Sequence, residues 1–196
     1  MHSHSTEHPQ LDLLGGTDAR PAELHRLFFA LLPNEAARGQ LARAAAALRA
    51  SHPGLRARWV HPARYHATLH FLGNHATLRQ DVVDAAVLAA GRSSAPAFEW
   101  TLCGAASFRG RQPPCVLRGP SVPEALQQLW QDLRHVLTLA GQGRYLERSF
   151  TPHVTVAYSQ HELLDDTPIE PVRWMVDEFA LIHSVVGRPD YQVLAR

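Results

Sequence analysis

Two six-residue segments of the sequence share one pattern: histidine, an apolar residue, threonine, an apolar residue and, at the sixth position, an aromatic residue. The first runs from His66 to Phe71 (HATLHF) and the second from His153 to Tyr158 (HVTVAY). In a β-strand, residues two apart point to the same side. Strict alternation therefore places each histidine beside its threonine on one face and turns Phe71 and Tyr158 to the other. The pattern predicts two strands that each bury an apolar face and present an imidazole beside a hydroxyl.

The surroundings of the two segments repeat as well. Before the first comes an apolar strand at residues 27–32, then Pro33 and an alanine-rich helix. Before the second comes an apolar strand at residues 115–117, then Pro123 and another helix. Proline and acidic residues favour helix starts. A third His-x-Thr triplet, residues 4–6, lies in a polar stretch without a strand, and we interpret it as accidental. The repeated order predicts two pseudo-symmetric halves whose histidines face each other across a cleft.

The remaining segments favour an α+β fold. Apolar residues at helical spacing predict a helix over residues 77–90, and strands are predicted at residues 58–60 and within residues 98–108. A loop is predicted over residues 159–171 and one long strand within residues 172–186. This mixture predicts a two-lobed fold of antiparallel sheets flanked by helices, with a central cleft, rather than a doubly wound parallel sheet.

Composition is typical of one small domain. The chain has 196 residues and a net charge of +1, which does not indicate attraction of the whole molecule to nucleic acid. Residues 1–24 are polar and predict a flexible tail, leaving residues 25–196 as the folded domain. The sequence has no apolar run of about 18 residues and no signal-peptide pattern. We therefore expect a cytoplasmic monomer without membrane contact.

The domain resembles the two-histidine (2H) phosphoesterases, and within them the bacterial and archaeal RNA 2′,3′-cyclic phosphodiesterases once described as 2′-5′ RNA ligases. The resemblance runs from about Arg26 to Arg196. Four landmarks carry it in order: residues 26–31 (RLFFAL); the first His-x-Thr segment with Leu72-Gly73; residues 150–156 (FTPHVTV); and residues 179–184 (FALIHS), followed by Gly187-Arg188-Pro189 and Tyr191.

The resemblance implies a metal-independent enzyme that opens the 2′,3′-cyclic phosphate of RNA ends or nucleotides to a 2′-phosphomonoester. In the family the first histidine is assigned as the acid to the leaving 3′-oxygen and the second as the base to water, which implies His66 as acid and His153 as base. A histidine pKa near 6.5 lets one imidazole be a base while its partner is an acid. The hydroxyls of Thr68 and Thr155 are predicted to donate to the phosphoryl oxygens.

One position departs from the family pattern. Many relatives carry an arginine, associated with the phosphate, where this chain has Tyr158. Tyr158 can donate one hydrogen bond but has no charge, and it faces away from His153 unless the strand bends. Arg109 and Arg111, in a Gly/Pro-rich loop, are the predicted replacements for that charge. The other interpretation of these two arginines is a solvated loop.

Three more side chains have two interpretations each. Strand alternation places His70 on the same face as His66 and Thr68. It therefore either touches the substrate or is a polar residue at the end of the strand. Phe108 and Trp59 either stack on a nucleotide base or pack in the core, and core packing is favoured.

Other functions stay open as alternatives. The same site could run 2′-5′ RNA ligation, with an RNA 5′-hydroxyl in place of water. A non-catalytic module that binds RNA ends is a second alternative, against which both retained His-x-Thr pairs argue. A metal-binding protein built from the 13 histidines is a third, against which the lack of paired ligand spacings argues. We predict no metal, no cofactor and no protein partner. The expected ligand is an RNA 3′ end or nucleotide with a 2′,3′-cyclic phosphate.

Overall fold

A computed structural model describes residues 23–196 and shows an α+β fold. Residues 1–22, nearly all of the predicted tail, lie outside the described residues. The strands are β1 (His25–Leu31), β2 (Ala57–Trp59), β3 (Ala67–His75), β4 (Phe98–Ser107), β5 (Pro114–Arg118), β6 (Val154–Ser159), β7 (Thr167–Val176), β8 (Ala180–Val185) and β9 (Tyr191–Ala195). The helices are α1 (Glu35–Ser51), α2 (Gln80–Ala90) and α3 (Glu124–Leu139), with 3₁₀ turns at Pro62–Arg64 and Gly143–Tyr145.

The strands form two antiparallel sheets. One has the order β3-β1-β8-β9 and the other the order β2-β6-β5-β4-β7. In each half of the chain the His-x-Thr strand pairs with the strand that precedes the helix, β3 with β1 and β6 with β5. Strands β1 and β5 each have a second neighbour from the opposite half of the chain. Strand β8, from the second half, pairs with β1, and β4, from the first half, pairs with β5. The predicted α+β class with antiparallel sheets is confirmed, and the two halves are joined by this exchange of strands.

The prediction of one long strand within residues 172–186 is wrong. The structure has two strands there, β7 and β8, which belong to different sheets. The polar pair Asp177-Glu178 interrupts the apolar run, and the chain crosses between the sheets at this point. Strand β7 also begins at Thr167, inside the predicted loop.

Helices cover one face of each sheet and leave the other free for a cleft. α1 packs on β7, while α2 and α3 pack together against the sheet that contains β3 and β8. The side chain of Asn34 caps α1 by accepting a hydrogen bond from the Ala37 N–H at 2.9 Å. Strand β1 is buried on both sides: Leu27 and Phe29 join the main core, and Phe28 joins a smaller cluster on the opposite face. Phe28 on that second face lines the cleft. No helix within residues 23–196 is long and apolar enough to cross a membrane.

Candidate active site

A β-bulge in β3 sets which side chains accompany the first histidine. In the pairing with β1, Ala30 lies opposite Thr68 and Phe29 lies opposite His70, so Leu69 has no partner. A bulge reverses the alternation of faces beyond it. Phe71 therefore lies on the same face as Thr68, contrary to the expectation from strict alternation.

Strand β6 carries the same bulge at the equivalent position. Val116 lies opposite Thr155 and Cys115 opposite Ala157, which leaves Val156 without a partner. Tyr158 consequently shares a face with Thr155, so its predicted orientation away from the site is wrong. The strand does bend, as the alternative interpretation of this residue required. The two motifs thus match in backbone irregularity as well as in residue type.

Both bulged faces border one cleft of about 500 Å³. The first half contributes His66, Thr68 and Phe71 to its lining, and the second half contributes Thr155 and Tyr158. These side chains belong to the two His-x-Thr segments, whose strands β3 and β6 lie in different sheets. They meet because the two sheets face each other. The structure thus brings the threonine of each motif to one cleft, whereas of the two motif histidines only His66 is among the lining residues.

His153 is not among the lining residues of the cleft, although Thr155, two positions later, is. The positive charge of a protonated His153 lowers the pKa of His66, which places the two imidazoles within electrostatic reach. The ring of Phe108 contacts His153 edge-on, with 4.8 Å between ring centroids. Aromatic rings also contact the other imidazole, since Phe28 and Tyr191 both lie against the ring of His66.

The two imidazoles are anchored in the same way. Nδ1 of His66 lies 2.8 Å from the carbonyl oxygen of Arg64, and Nδ1 of His153 lies 2.7 Å from that of Thr151. In each case the acceptor belongs to the residue two positions earlier, so Nδ1–H donates to it. This bond sets the tautomer and leaves Nε2 as the nitrogen that can accept or deliver a proton.

Of these two histidines, His66 has in addition a hydroxyl beside its anchored nitrogen. The Tyr191 hydroxyl oxygen lies 2.8 Å from Nδ1 of His66, and the hydroxyl donates to the carbonyl oxygen of Arg64 at 2.8 Å. The Tyr191 ring also meets the His66 ring edge-on at 5.5 Å between centroids. Burial raises the pKa of Tyr191 to about 12, so its hydroxyl stays protonated at neutral pH.

Burial lowers the pKa of both histidines below the usual 6.5. For His66 the positive charges of Arg64 and His153 act in the same direction, and the hydrogen bond to the backbone opposes them. For His153 the backbone hydrogen bond is the opposing effect. Both imidazoles are therefore predominantly neutral at pH 7 and able to accept protons.

The cleft is electropositive. Arg26, Arg58 and Arg64 line it, and within residues 23–196 no aspartate or glutamate side chain does so. Such a surface suits a phosphate group. No local sequence pattern separates these arginines from the other basic residues, so they were not predicted as site residues. Their common location depends on how the two sheets come together.

The structure does not bring Arg109 and Arg111 into the cleft. Both are exposed in the loop between β4 and β5, and neither is among the residues lining the cleft. Their neighbour Gln112 does line it. A phosphate contact from these two arginines stays a prediction.

The three ambiguous side chains now have defined positions. His70 is only 2% exposed, and its Nε2–H donates to the carbonyl oxygen of Trp130 at 2.8 Å, so the bulge has turned it into the core and away from the cleft. Trp59 packs against the main core. Phe108 supports His153 and is not among the lining residues of the cleft.

Within residues 23–196, no three His, Cys, Asp or Glu side chains lie together in a group that could hold a metal ion. The side chains that line the cleft include imidazole, hydroxyl and guanidinium groups, which are able to donate hydrogen bonds to an anion.

Comparison with known proteins identifies the family. The family model of the 2′-5′ RNA ligase superfamily matches residues 33–188. The RNA 2′,3′-cyclic phosphodiesterase of Geobacillus stearothermophilus is 30% identical over 146 residues, which cover 70% of this chain and 46% of that protein. The chain thus spans about half the length of this curated relative.

Solved structures show the same fold. The crystal structure of E. coli LigT complexed with 3′-AMP is 29% identical with a TM-score of 0.70, and the match covers 88% of this chain and 95% of LigT. The structure of TT0787 from Thermus thermophilus is 25% identical with a TM-score of 0.67, covering 86% of this chain and 94% of that one. With the family model spanning most of its length, the chain belongs to the 2′-5′ RNA ligase superfamily, whose structural neighbours are 2H phosphoesterases.

Proposed function

We propose that this protein hydrolyses the 2′,3′-cyclic phosphate of RNA 3′ ends or nucleotides to a 2′-phosphomonoester. One observation carries the proposal: two His-x-Thr strands with matching bulges meet at one electropositive cleft, and each imidazole is held through Nδ1 by the carbonyl two residues earlier. This arrangement supplies two proton-transfer groups and two hydroxyl donors around a single anion.

The reaction needs one proton removed and one delivered. A water oxygen attacks the phosphorus, and His153 Nε2 takes the proton that the water loses. The bond between phosphorus and the 3′-oxygen breaks, and His66 delivers its proton to that oxygen. The product is a 2′-phosphomonoester, and the imidazolium at His153 and the neutral His66 exchange a proton with solvent to restore the starting state.

The assignment of His66 as the acid has a local basis. The acid must enter the reaction protonated, and a bound phosphate raises the pKa of a nearby imidazole through its negative charge. The Tyr191 hydroxyl oxygen beside Nδ1 of His66 offers a further lone pair to that imidazolium. His153 has a backbone carbonyl at Nδ1 and an aromatic edge beside its ring.

Thr68 and Thr155 contribute the neutral donors. Each lies on the cleft lining two residues after its histidine. Negative charge accumulates on the non-bridging oxygens as the reaction proceeds, and fixed hydroxyl donors stabilise it without reorganising at the moment of reaction.

The relatives support this choice of substrate. The protein of Geobacillus stearothermophilus is named an RNA 2′,3′-cyclic phosphodiesterase, and E. coli LigT has been crystallised with 3′-AMP. A nucleotide with a phosphate on its ribose is the ligand chemistry that these names share.

The test is hydrolysis of adenosine 2′,3′-cyclic phosphate, and of a short RNA ending in that group, in the presence of EDTA. Wild type is compared with His66→Ala and His153→Ala, and His135→Ala, an exposed histidine on α3, is the matched control. We expect metal-independent turnover by wild type and control, a loss of about 1,000-fold or more in both cleft variants, and a 2′-phosphate product on chromatography.

Other results would change the proposal in defined ways. Binding without turnover on both substrates would replace the enzyme with an RNA-end-binding module. A 3′-phosphate product would mean that the 2′-oxygen leaves. Addition of an RNA with a free 5′-hydroxyl tests ligation, and 2′-5′-linked products formed faster than hydrolysis would make the protein a ligase.

A further inference from the structure

The three arginines of the cleft differ in what their guanidinium groups already bind. Arg64 donates to the carbonyl oxygen of Arg188 at 2.9 Å and also to that of Pro189, which ties it to the turn between β8 and β9. Arg26 donates through Nε to the side-chain oxygen of Asn74 at 3.2 Å. Both therefore already have hydrogen-bond partners within the folded protein.

Arg58 is held differently. It lies on β2 directly opposite Tyr158 of β6, and its guanidinium carbon is 5.0 Å from the centroid of the Tyr158 ring. Among residues 23–196 the guanidinium has no hydrogen-bond acceptor and no carboxylate partner, and it contacts the Tyr158 ring alone. A guanidinium lying on a ring keeps its N–H donors at its edge available to a ligand.

The bulge in β6 gives this pair its place in the site. Because Val156 is bulged, Tyr158 and Thr155 face the cleft together, and Arg58 on the adjacent strand lines the same cleft. The guanidinium therefore lies in the lobe that also carries His153.

We propose that Arg58, oriented by Tyr158, is the cation that binds the non-bridging phosphoryl oxygens of the substrate. This inference rests on the proposed function, since it assigns a role within that reaction. The group acts through charge and paired N–H donors, which match two oxygens of one phosphate. Tyr158 is a positioning residue that keeps the guanidinium extended over its ring.

Paired substitutions at Arg58 and Tyr158 test the proposal. Arg58→Met keeps the length of the side chain and removes the charge, and we expect kcat/KM for the cyclic nucleotide to fall about 100-fold. Arg58→Lys keeps the charge without the paired donors, and we expect a loss of about 10-fold. Arg49→Met, at an exposed arginine in the last turn of α1, is the matched control.

The aromatic platform is tested separately. Tyr158→Leu removes the ring, and we expect a loss of about 10-fold, larger than that of Tyr158→Phe, which keeps the ring. The double variant Arg58→Met/Tyr158→Leu should lose little beyond Arg58→Met alone, because Tyr158 acts through Arg58. Fully additive losses would contradict the positioning role.

Binding of inorganic phosphate separates this inference from the proposed function. Calorimetric titration should show phosphate binding to wild type weakened about 10-fold or more in Arg58→Met, with unchanged thermal unfolding. If wild type hydrolyses the substrate and Arg58→Met stays within threefold of it, the role of Arg58 is wrong and the proposed function stands. If wild type has no turnover, equal phosphate affinity of wild type and Arg58→Met, or no phosphate binding by either, refutes the inference independently.

Discussion

The indole N–H of Trp130 donates to the carbonyl oxygen of Leu69 at 3.0 Å, and Leu69 is the bulged residue of β3. The next residue, His70, donates in return to the carbonyl oxygen of Trp130 at 2.8 Å. A bulge removes a residue from the strand ladder, and its buried polar groups need other partners. Helix α3 from the second half of the chain supplies that partner. It thereby holds the first His-x-Thr strand in the shape that directs Thr68 into the cleft.

Replacing Trp130 by phenylalanine should destabilise the protein and slow the reaction. The substitution leaves the Leu69 carbonyl buried without its donor, which costs about 1–3 kcal/mol in the free energy of unfolding. Trp100→Phe is the matched control, because Trp100 is 1% exposed and its indole N–H has no partner among the described residues. Urea unfolding and turnover measure both effects. Equal losses of turnover in the two variants would show that the indole N–H does not position the strand.

The free energy of unfolding should fall as the pH drops below about 6.5. Burial lowers the pKa of His66, His70 and His153 in the folded state. Between the unfolded value and the lowered folded values the unfolded chain binds more protons, so acid favours unfolding. Above the unfolded value all three are neutral in both states, and their stabilising contribution is fully present.

Urea unfolding at pH 7.5 and pH 5.5 measures this dependence. His70→Gln should show a smaller decrease between these two pH values than wild type. Among residues 23–196, Nδ1 of His70 is buried without a hydrogen-bond partner, so protonating it in the folded state is costly. A free energy of unfolding that rises on acidification would contradict the lowered pKa values.

The optimum of kcat/KM should lie on the acidic side of pH 6.5. This parameter reports the ionisation of the free enzyme, and burial lowers the pKa of both His66 and His153 there. The bound phosphate raises these pKa values, so the alkaline limb of kcat should lie at higher pH than that of kcat/KM. Stopped-time assays from pH 4.5 to 8.5 measure both curves, and coincident alkaline limbs would argue against phosphate binding beside the imidazoles.

Removing either threonine hydroxyl should slow turnover while leaving the fold intact. Thr68→Val and Thr155→Val preserve the side-chain shape but lose the donor, and we expect about 100-fold lower kcat for each. Thr68→Ser and Thr155→Ser keep the hydroxyl and should retain more activity than the valine variants. If serine and valine are equivalent, the hydroxyls do not contact the reacting phosphate.

The hydroxyl of Tyr191 should affect the ionisation of His66, the proposed acid, more than that of His153, the proposed base. Tyr191→Phe keeps the edge contact with His66 but removes the oxygen beside Nδ1, and we expect about fivefold lower kcat with the alkaline limb at lower pH. Tyr145→Phe, outside the lining of the cleft, is the matched control. If the acidic limb of the kcat profile moves instead, His66 is the base and His153 is the acid.

Much of the architecture can be predicted from the sequence because it depends on local patterns. The order of strand, helix and His-x-Thr strand appears twice, and α1 and α3 begin at Glu35 and Glu124, close to the prolines that predict the helix starts. Strand pairs with few helices predict antiparallel sheets, and the repeated order predicts that both motifs reach one cleft. These features follow from side-chain periodicity and from residues that start helices, which act over a few positions.

The faces of the two motifs were decided by the tertiary structure. Strict alternation turns Phe71 and Tyr158 away from the cleft and His70 toward it, and the bulges at Leu69 and Val156 reverse all three. A bulge costs ladder hydrogen bonds locally, and in β3 it is compensated by Trp130, which is 61 positions away in the sequence. The arginines of the cleft come together for the same reason. Arg26, Arg58 and Arg64 lie on separate elements, and only the meeting of two sheets built from both halves gives them a common ligand-binding surface.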